Sequence, residues 1–191
     1  MKARVRDRAT YADLERVPET LVAELIDGEL FTSPRPRRRH ARASSRLGAR
    51  LAHPYEFGEG GPGGWIFYDE PELHLGPVPD EIVLIPDLAG WRAERLSEMS
   101  DDDHRFRVVP DWICEVTSPS TGGLDRIRKM PLYAQHGVGH AWLIDPEWRS
   151  LEVCRLNGQV WTTVAVYSGE QRVHAEPFDA IELNLAELWG S

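Results

Sequence analysis

Short apolar runs separated by turn residues dominate the hydrophobic pattern of this chain, which predicts strands alternating with helices. Residues 112–117 are apolar apart from Glu115 and Thr117 and have turn residues on both sides, as expected for a buried strand. Residues 81–88 predict a second strand, in which Pro86 indicates an edge position or a bulge. A further buried strand is predicted at residues 141–144, and a further strand at residues 65–68.

Turn residues and alternation predict two hairpins and one more strand. Asp27-Gly28 is a strong hairpin signal near the N-terminus, and Asn157-Gly158 has the same role near the C-terminus. Residues 72–75 alternate between polar and apolar side chains, so we expect a half-exposed strand whose polar residues face solvent.

Helical signals are fewer. Thr10 and Asp13 have the spacing of a capping box and predict a short helix. Residues 36–54 predict a longer one, because apolar residues recur at helical spacing while arginines occupy the other faces. Residues 183–189 predict a short closing helix.

Composition is that of an ordinary globular protein, with 41% hydrophobic and 28% charged residues. The length of 191 residues predicts a single domain over residues 1–191. No apolar run approaches the roughly 20 residues needed to cross a bilayer, and residues 1–7 lack the apolar core of a signal peptide. We therefore expect a cytoplasmic protein with no membrane contact. Cys114 and Cys154 fit no metal or disulfide spacing.

Charge changes this picture in one segment. The net charge of −9 argues against a protein that coats nucleic acid non-specifically. Residues 31–55, however, contain seven arginines and no acid, which leaves 15 basic against 31 acidic residues elsewhere. Such a segment can bind an anionic partner, although a solvated helix face is an equally good interpretation. The arginines are Arg35, Arg37, Arg38, Arg39, Arg42, Arg46 and Arg50.

Each of the two central strands carries a carboxylate, Glu115 in one and Asp87 in the other. A buried carboxylate is costly unless a cation compensates its desolvation. If the fold brings the two acids together, their hard oxygens suit Mg²⁺ or Mn²⁺, with waters and the Val116 carbonyl as further ligands. Thr117 points to the same strand face as Glu115.

A helix carrying Lys129 is expected to follow the strand. Asp125, Lys129 and Tyr133 are spaced i, i+4, i+8 and fall along one helix face. Pro131 predicts a kink that leaves the direction of Lys129 open. A lysine near a metal-bound water can orient the nucleophile and stabilise developing charge on a phosphate. The acid–acid–lysine order predicts phosphodiester hydrolysis. The alternative is that Asp125 and Lys129 form only a surface ion pair with no catalytic role.

Other functional interpretations stay open on these residues. Glu24 on the first hairpin arm has the pattern of an exposed edge residue. A zinc hydrolase could instead use His40, His74 or His104 with nearby acids. A third alternative is a binding module that has nucleic-acid or protein affinity but no catalytic activity.

Several short motifs also occur in a particular order along the chain. They are Glu24-Leu-Ile-Asp-Gly-Glu, residues 34–40, Pro86-Asp87, Glu115-Val-Thr-Ser-Pro-Ser-Thr, the Asp125, Lys129 and Tyr133 trio, Gly137-Val and Trp142-Leu-Ile-Asp-Pro. In order and spacing they resemble the Uma-two family of endonucleases, within the PD-(D/E)xK restriction-endonuclease-like superfamily. The resemblance extends over roughly residues 10–188.

The resemblance implies an α/β (α+β) fold with a mixed central β-sheet flanked by helices, and metal-dependent phosphodiester cleavage. In it, Asp87 and Glu115 match the metal-binding acids, and Glu24 matches an acid that assists at the metal site. The superfamily's usual lysine would fall at Thr117, which cannot perform that function. Lys129 on the next helix is the expected substitute.

The leading hypothesis is therefore a DNA endonuclease that uses Mg²⁺ or Mn²⁺. Asp87 and Glu115 would bind the metal, and Lys129 would position the attacking water, itself oriented by Asp125 and Tyr133. Double-stranded DNA is the expected partner, and a homodimer is expected by analogy, since two strands are to be cut. The residues expected to contact the nucleic acid are Arg37, Arg38, Arg39, His40, Arg42 and Arg46.

Overall fold

The structure, a computed structural model, describes residues 8–78, 80–96, 103–118 and 122–190. The strands are β1 (Leu21–Ile26), β2 (Glu29–Pro34), β3 (Trp65–Asp69), β4 (Glu72–Leu75), β5 (Ile82–Leu84), β6 (Leu88–Arg92), β7 (Arg105–Phe106), β8 (Trp112–Val116), β9 (His140–Asp145), β10 (Ser150–Asn157), β11 (Val160–Ser168), β12 (Arg172–Val173) and β13 (Leu183–Asn184). The helices are α1 (Tyr11–Leu14), α2 (Arg38–Leu51), α3 (Ala93–Leu96), α4 (Gly122–Leu124), α5 (Met130–Gln135) and α6 (Ala186–Trp189), with π-helical turns at Ala52–Glu56 and Asp125–Lys129.

The strands form two large sheets flanked by helices, which confirms the expected mixed α+β fold. The five-stranded sheet has the order β2-β1-β5-β4-β7, and the six-stranded sheet has the order β11-β10-β9-β8-β6-β3. Neighbouring strands are antiparallel except for the parallel pairs β4–β7 and β8–β9. A small sheet, β12-β13, lies near the C-terminus.

The central strands β8 and β9 of the six-stranded sheet are buried on both faces, and this explains why β8 is apolar almost throughout. One face carries Trp112, Cys114 and Val116 and packs against α2 and the C-terminal segment. The opposite face carries Ile113 and packs against the five-stranded sheet and α5. Because side chains alternate along a strand, Glu115 shares the face of Ile113 and points into the space between the two sheets.

The predicted strand at residues 81–88 is in fact two strands. β5 pairs with β4 and β1 in the five-stranded sheet, whereas β6 pairs with β3 and β8 in the six-stranded sheet. Ile85, Pro86 and Asp87 connect them, and Pro86, which has no N–H to donate to a ladder, lies where the chain leaves one sheet for the other. Asp87 is thereby placed where the two sheets meet.

Both predicted hairpins are confirmed. Asp27 and Gly28 have φ values of 53° and 75° and connect β1 to β2, and Gly158 turns β10 into β11. The first helix is confirmed as well, since the Asp13 carboxylate accepts the Thr10 N–H at 2.9 Å. In the long predicted helix, α2 begins only at Arg38, and its apolar stripe is buried.

Two predictions need correction. β4 is not half-exposed, because His74 is buried between two glutamates. The closing helix is shorter than predicted, since residues 183–184 pair with β12 and α6 begins at Ala186. Among the described residues, no helix has the length and apolarity to cross a membrane. Two further polar segments, for which the sequence predicts a loop at residues 100–105 and a turn at residues 118–121, lie partly outside the described residues.

Candidate active site

A cavity of about 250 Å³ lies where β8 ends and β6 and α2 begin. Its walls bring together side chains that are far apart in the sequence. The charged residues among them are Glu24, Arg35, Arg37, Glu70, Asp87, Glu115, Asp125 and Lys129, with His40 beside them. The two acids and the lysine that the sequence order predicts as one site therefore line the same cavity.

Glu115 is buried at the inner end of this cavity. The Tyr133 hydroxyl donates to its Oε1 at 2.6 Å, and Nζ of Lys129 lies 2.8 Å from the same oxygen. Burial raises the pKa of Glu115 well above its usual value, since the attraction of Lys129 is outweighed by desolvation and by nearby acids, among them Asp125 and Asp87.

Lys129 is only 3% exposed and lies among three carboxylates. Its Nζ is 2.8 Å from Oε1 of Glu24 and of Glu115 and 3.8 Å from Oδ1 of Asp125. Burial alone lowers the pKa of Lys129, but these carboxylates outweigh it and raise the pKa well above 10.5. The raised pKa favours the protonated, cationic form of Lys129.

The helix geometry agrees with the predicted spacing. Asp125, Lys129 and Tyr133 are all buried, so they share the face that looks into the protein. Asp125 and Lys129 belong to the π-helical turn between α4 and α5, and Pro131 lies in the first turn of α5. Nζ of Lys129, two residues before this proline, still lies 2.8 Å from Oε1 of Glu115. The predicted kink therefore does not turn Lys129 away from Glu115.

Asp87 is held by the backbone of the neighbouring strand. Its Oδ2 accepts the Val116 N–H at 2.7 Å, and its Oδ1 contacts Nε2 of His40. Ser44, one turn after His40 on α2, donates to the Asp87 carbonyl at 3.5 Å. His40, predicted to contact nucleic acid, thus lies against the first of the two predicted metal-binding acids.

Glu24 is not the exposed edge residue that its sequence pattern indicates. It is 6% exposed, because β1 lies inside its sheet between β2 and β5. Its Oε1 accepts the Ile85 N–H at 2.9 Å and also contacts Lys129. Thr117 is buried but stays outside the charged cluster, since its hydroxyl donates to the Ile144 carbonyl at 3.2 Å.

A metal ion in this cavity would be held by carboxylate oxygens rather than by a cluster of three or more side chains. Over residues 8–78, 80–96, 103–118 and 122–190, no three His, Cys, Asp or Glu side chains are arranged to hold one. A zinc site needs about that many protein ligands, whereas Mg²⁺ is usually held by one or two carboxylates, waters and substrate phosphates. Asp87 and Glu115, in a cavity with more carboxylates than cations, fit a hard divalent ion of this second kind.

The histidines give no support to the zinc alternative. His74 lies in β4 between Glu72 and Glu81, and His104 contacts the Tyr11 hydroxyl beside it. His40 is the histidine that lines the candidate cavity. In the described residues these three side chains do not converge on one point.

The arginines divide into two groups. Arg37 lines the cavity, and Arg38, Arg39 and Arg42 are exposed on the first turns of α2. Arg46, also predicted to contact nucleic acid, donates instead to the Glu187 carbonyl and connects α2 to α6. Whether these arginines contact nucleic acid stays a prediction.

Sequence reasoning missed two residues at the cavity rim, Arg35 and Glu70. Arg35 belongs to the basic segment but precedes the predicted helix, so it was not assigned to the binding face. Glu70 is one acid in a polar turn, and nothing in the local sequence distinguishes it.

Comparisons with known proteins identify a family and a shared fold. A family model, Uma2, described as "Putative restriction endonuclease", matches residues 8–186. The chain is also similar to the crystal structure of "a putative nuclease belonging to DUF820 from Anabaena variabilis ATCC 29413", with a TM-score of 0.74 and 20% identity. The match covers 94% of this chain and 97% of that one, which shows a shared fold. A search of curated proteins finds no match.

Proposed function

The chain belongs to the Uma2 family, whose model matches residues 8–186, and from this membership we propose that it is a metal-dependent endonuclease acting on DNA. The convergence of Asp87, Glu115 and Lys129 in one cavity carries the proposal. Asp87 comes from the link before β6, Glu115 from β8 and Lys129 from the helical segment before α5, and a buried charged cluster assembled from such distant elements is typical of a functional site.

In the proposed site, Asp87 and Glu115 would hold Mg²⁺ or Mn²⁺. The ion would supply a Lewis acid for a phosphate oxygen and lower the pKa of a bound water. Hydrogen bonds from Val116 and Tyr133 hold the two carboxylates in place. The two carboxylates are therefore held in position before a cation binds.

Lys129 would stabilise the negative charge that develops on the phosphate and orient the attacking water. Its raised pKa makes it unsuitable for taking the proton of that water. Asp125 would orient the ammonium group of Lys129, which lies 3.8 Å from its Oδ1. Glu24, which contacts the same ammonium group, would assist at the metal site. Cleavage of both strands of a duplex would need two such sites, and a homodimer is the simplest source of the second.

Calorimetric titration with Mn²⁺ tests the metal site without knowledge of the substrate sequence. We expect saturable binding to the wild-type protein and its loss in both Asp87→Asn and Glu115→Gln, which keep side-chain size but remove the charge. The titration is repeated with a DNA duplex present, because phosphate oxygens complete the shell of a hard ion. Binding that survives in either variant, or no binding in either condition, would contradict the proposed metal site.

The variant Lys129→Met separates metal binding, measured by the same titration, from cleavage of a DNA duplex, measured in a separate assay. Removing one partner of a buried ion pair costs about 3–5 kcal/mol of stability. The variant should therefore melt earlier yet still bind Mn²⁺, while its cleavage rate falls by roughly 10²-fold or more, as for loss of an electrostatic transition-state contact. Cleavage at the wild-type rate would show that Lys129 is structural.

A nuclease fold that binds without cutting is the second candidate. The chain carries a net charge of −9 and has Thr117 where the superfamily lysine would fall, and both observations favour it. DNA affinity unchanged in Asp87→Ala and Glu115→Ala, with no cleavage by the wild-type protein, would support this alternative.

A further inference from the structure

Arg35 and Glu70 face each other at the rim of the candidate active site. Arg35 lies in the link between β2 and α2, and Glu70 lies in the turn between β3 and β4. Both line the cavity that contains Asp87 and Lys129. Nη1 of Arg35 is 2.9 Å from Oε2 of Glu70, and the two side chains are 53% and 38% exposed.

The guanidinium of Arg35 is held from a second side as well. Its Nε and Nη2 donate to the carbonyl of Glu19 at 3.2 and 3.0 Å. A guanidinium oriented in this way offers planar N–H groups that suit the oxygens of a carboxylate or a phosphate. The carboxylate of Glu70 therefore occupies a place on Arg35 that a phosphate could take.

The backbone of Glu70 is unusual. Its φ of 46° lies in the left-handed region, which is uncommon for residues other than glycine and is concentrated at functional sites. Its N–H donates to the carbonyl of Asp87 at 3.2 Å. The residue that covers Arg35 thus also contacts the backbone of the proposed metal-binding acid.

The negative charge of the cavity indicates why a phosphodiester would need Arg35. The inner wall of the cavity has the carboxylates of Glu24, Asp87, Glu115 and Asp125 around Lys129, so an approaching phosphodiester is repelled unless cations are available. A half-exposed ion pair is weak, whereas a guanidinium binds a phosphate through two charge-assisted hydrogen bonds. A phosphate can therefore displace Glu70 from Arg35 at small cost.

We propose that Arg35 binds a backbone phosphate of the nucleic acid beside the scissile bond, and that Glu70 covers Arg35 until that phosphate displaces it. The inference rests on the proposed function, because a nucleic-acid substrate supplies the phosphate. It adds a binding residue and a competing carboxylate to the site, and it assigns Glu70 an inhibitory effect on substrate binding.

Binding of a short fluorescein-labelled DNA duplex, measured by anisotropy without metal at several salt concentrations, tests the inference. Glu70→Gln should bind several-fold more tightly, because Arg35 loses its competing carboxylate. Arg35→Ala should bind roughly tenfold more weakly at low salt, with a salt slope smaller by about one, as for the loss of one phosphate contact. Arg35→Lys should recover part of the affinity, since it keeps the charge but not the fork.

A matched ion pair far from the cavity serves as the control. Arg172 and Glu182 are also exposed and also 2.9 Å apart, and they lie at the small C-terminal sheet. Arg172→Ala and Glu182→Gln make the same changes in net charge, so they measure the general electrostatic effect. We expect both to leave affinity and salt slope close to those of the wild-type protein.

The outcomes separate this inference from the proposed function. If the Arg35 and Glu70 variants change only the melting temperature and match the controls in affinity and slope, the pair is structural and the inference is overturned, even where Mn²⁺ binds. A wild-type protein without measurable affinity for the duplex or for RNA of the same sequence overturns it too. If the Arg35 and Glu70 variants change duplex affinity and salt slope as predicted but the protein binds no Mn²⁺, the inference is supported and the metal site is contradicted.

Discussion

Lys129 illustrates what burial does to a single charge. Its ammonium group is out of water and depends on the carboxylates of Glu24 and Glu115 for compensation. The same burial raises the pKa of Glu115, so a cation entering the cavity competes with a proton for this carboxylate. The two side chains stabilise each other, and removing either leaves the other charge without its partner.

A second buried charge lies outside the candidate site. Nδ1 of His74 is 2.8 Å from Oε2 of Glu81, and its Nε2 is 2.7 Å from Oε1 of Glu72. Burial alone lowers the pKa of His74, but the hydrogen bonds to the two glutamates outweigh it, and the pKa lies above 6.5. Because both ring nitrogens face carboxylates, the imidazolium with its two N–H donors fits the site.

The pH dependence of the melting temperature, compared between the wild-type protein and His74→Gln, tests this charge. A histidine with a raised pKa in the folded state contributes stability that is complete below the unfolded value of about 6.5 and is lost as pH rises through the folded value. The melting temperature of the wild-type protein should therefore fall over that range, and His74→Gln should remove most of this dependence. At mildly acid pH the variant should be less stable by about 1–3 kcal/mol, as for a lost buried hydrogen bond to a charge.

Circular dichroism melts over the pH range measure both effects. His53→Gln is the matched control, because His53 also contacts a glutamate, Glu59 at 3.0 Å, but is exposed. Melting curves of His74→Gln that run parallel to those of the wild-type protein at every pH would contradict the assigned imidazolium.

At the scale of elements, short strands set the position of the site. β5 and β6 are separated by three residues, yet they belong to different sheets, and the link between them places Asp87 at the junction. β8 is buried on both faces, so its alternation turns Glu115 towards the same junction. The acids converge because β5 and β6 separate into two sheets at Asp87, and because β8 directs Glu115 towards the same junction.

The packing around β6 leaves no room for a side chain at Gly90. A Cβ built there would lie 2.8 Å from Cε1 of Phe67 and 3.3 Å from Cε3 of Trp112, which is closer than side chains pack. We expect Gly90→Ala to lower the free energy of unfolding by about 1–3 kcal/mol through overpacking. Urea denaturation measures this change. Gly123→Ala, where a Cβ meets nothing within 4 Å, should be neutral or slightly stabilising, and equal effects of the two would contradict the packing argument.

On the scale of the whole molecule, charge is distributed unevenly. The protein carries −9 overall, but the first turns of α2 present Arg38, Arg39 and Arg42 to solvent next to the cavity. Farther along the helix, Arg46 and Arg50 both contact Glu187 and hold the C-terminal helix. A long anion approaching the site therefore meets the basic part of an otherwise acidic surface.

The double variant Arg38→Ser/Arg39→Ser tests this surface. In the described part of the chain neither guanidinium has an ion-pair partner, so we expect little loss of stability. If each contacts one phosphate, the salt slope of duplex binding should fall by about two. Arg46→Ala should do the opposite, lowering the melting temperature and leaving the slope unchanged. A double variant that keeps the wild-type slope would show that nucleic acid binds elsewhere.

The sequence alone determined most of the elements and predicted the central acids and lysine of the candidate site. The hairpin at Asp27-Gly28, the apolar stripe of α2 and the buried strand at β8 follow from local periodicity and turn chemistry, which involve residues close together in the chain. The i, i+4, i+8 spacing likewise placed Lys129 and Tyr133 on one face.

Only the tertiary structure decided how these parts meet. It divided residues 81–88 between two sheets, buried Glu24 and His74, and brought Arg35 against Glu70. The physical reason is that burial and ion pairing depend on which distant elements pack together. Lys129 and Glu24 are 105 residues apart in the numbering yet lie 2.8 Å apart in space, a contact that no local pattern encodes.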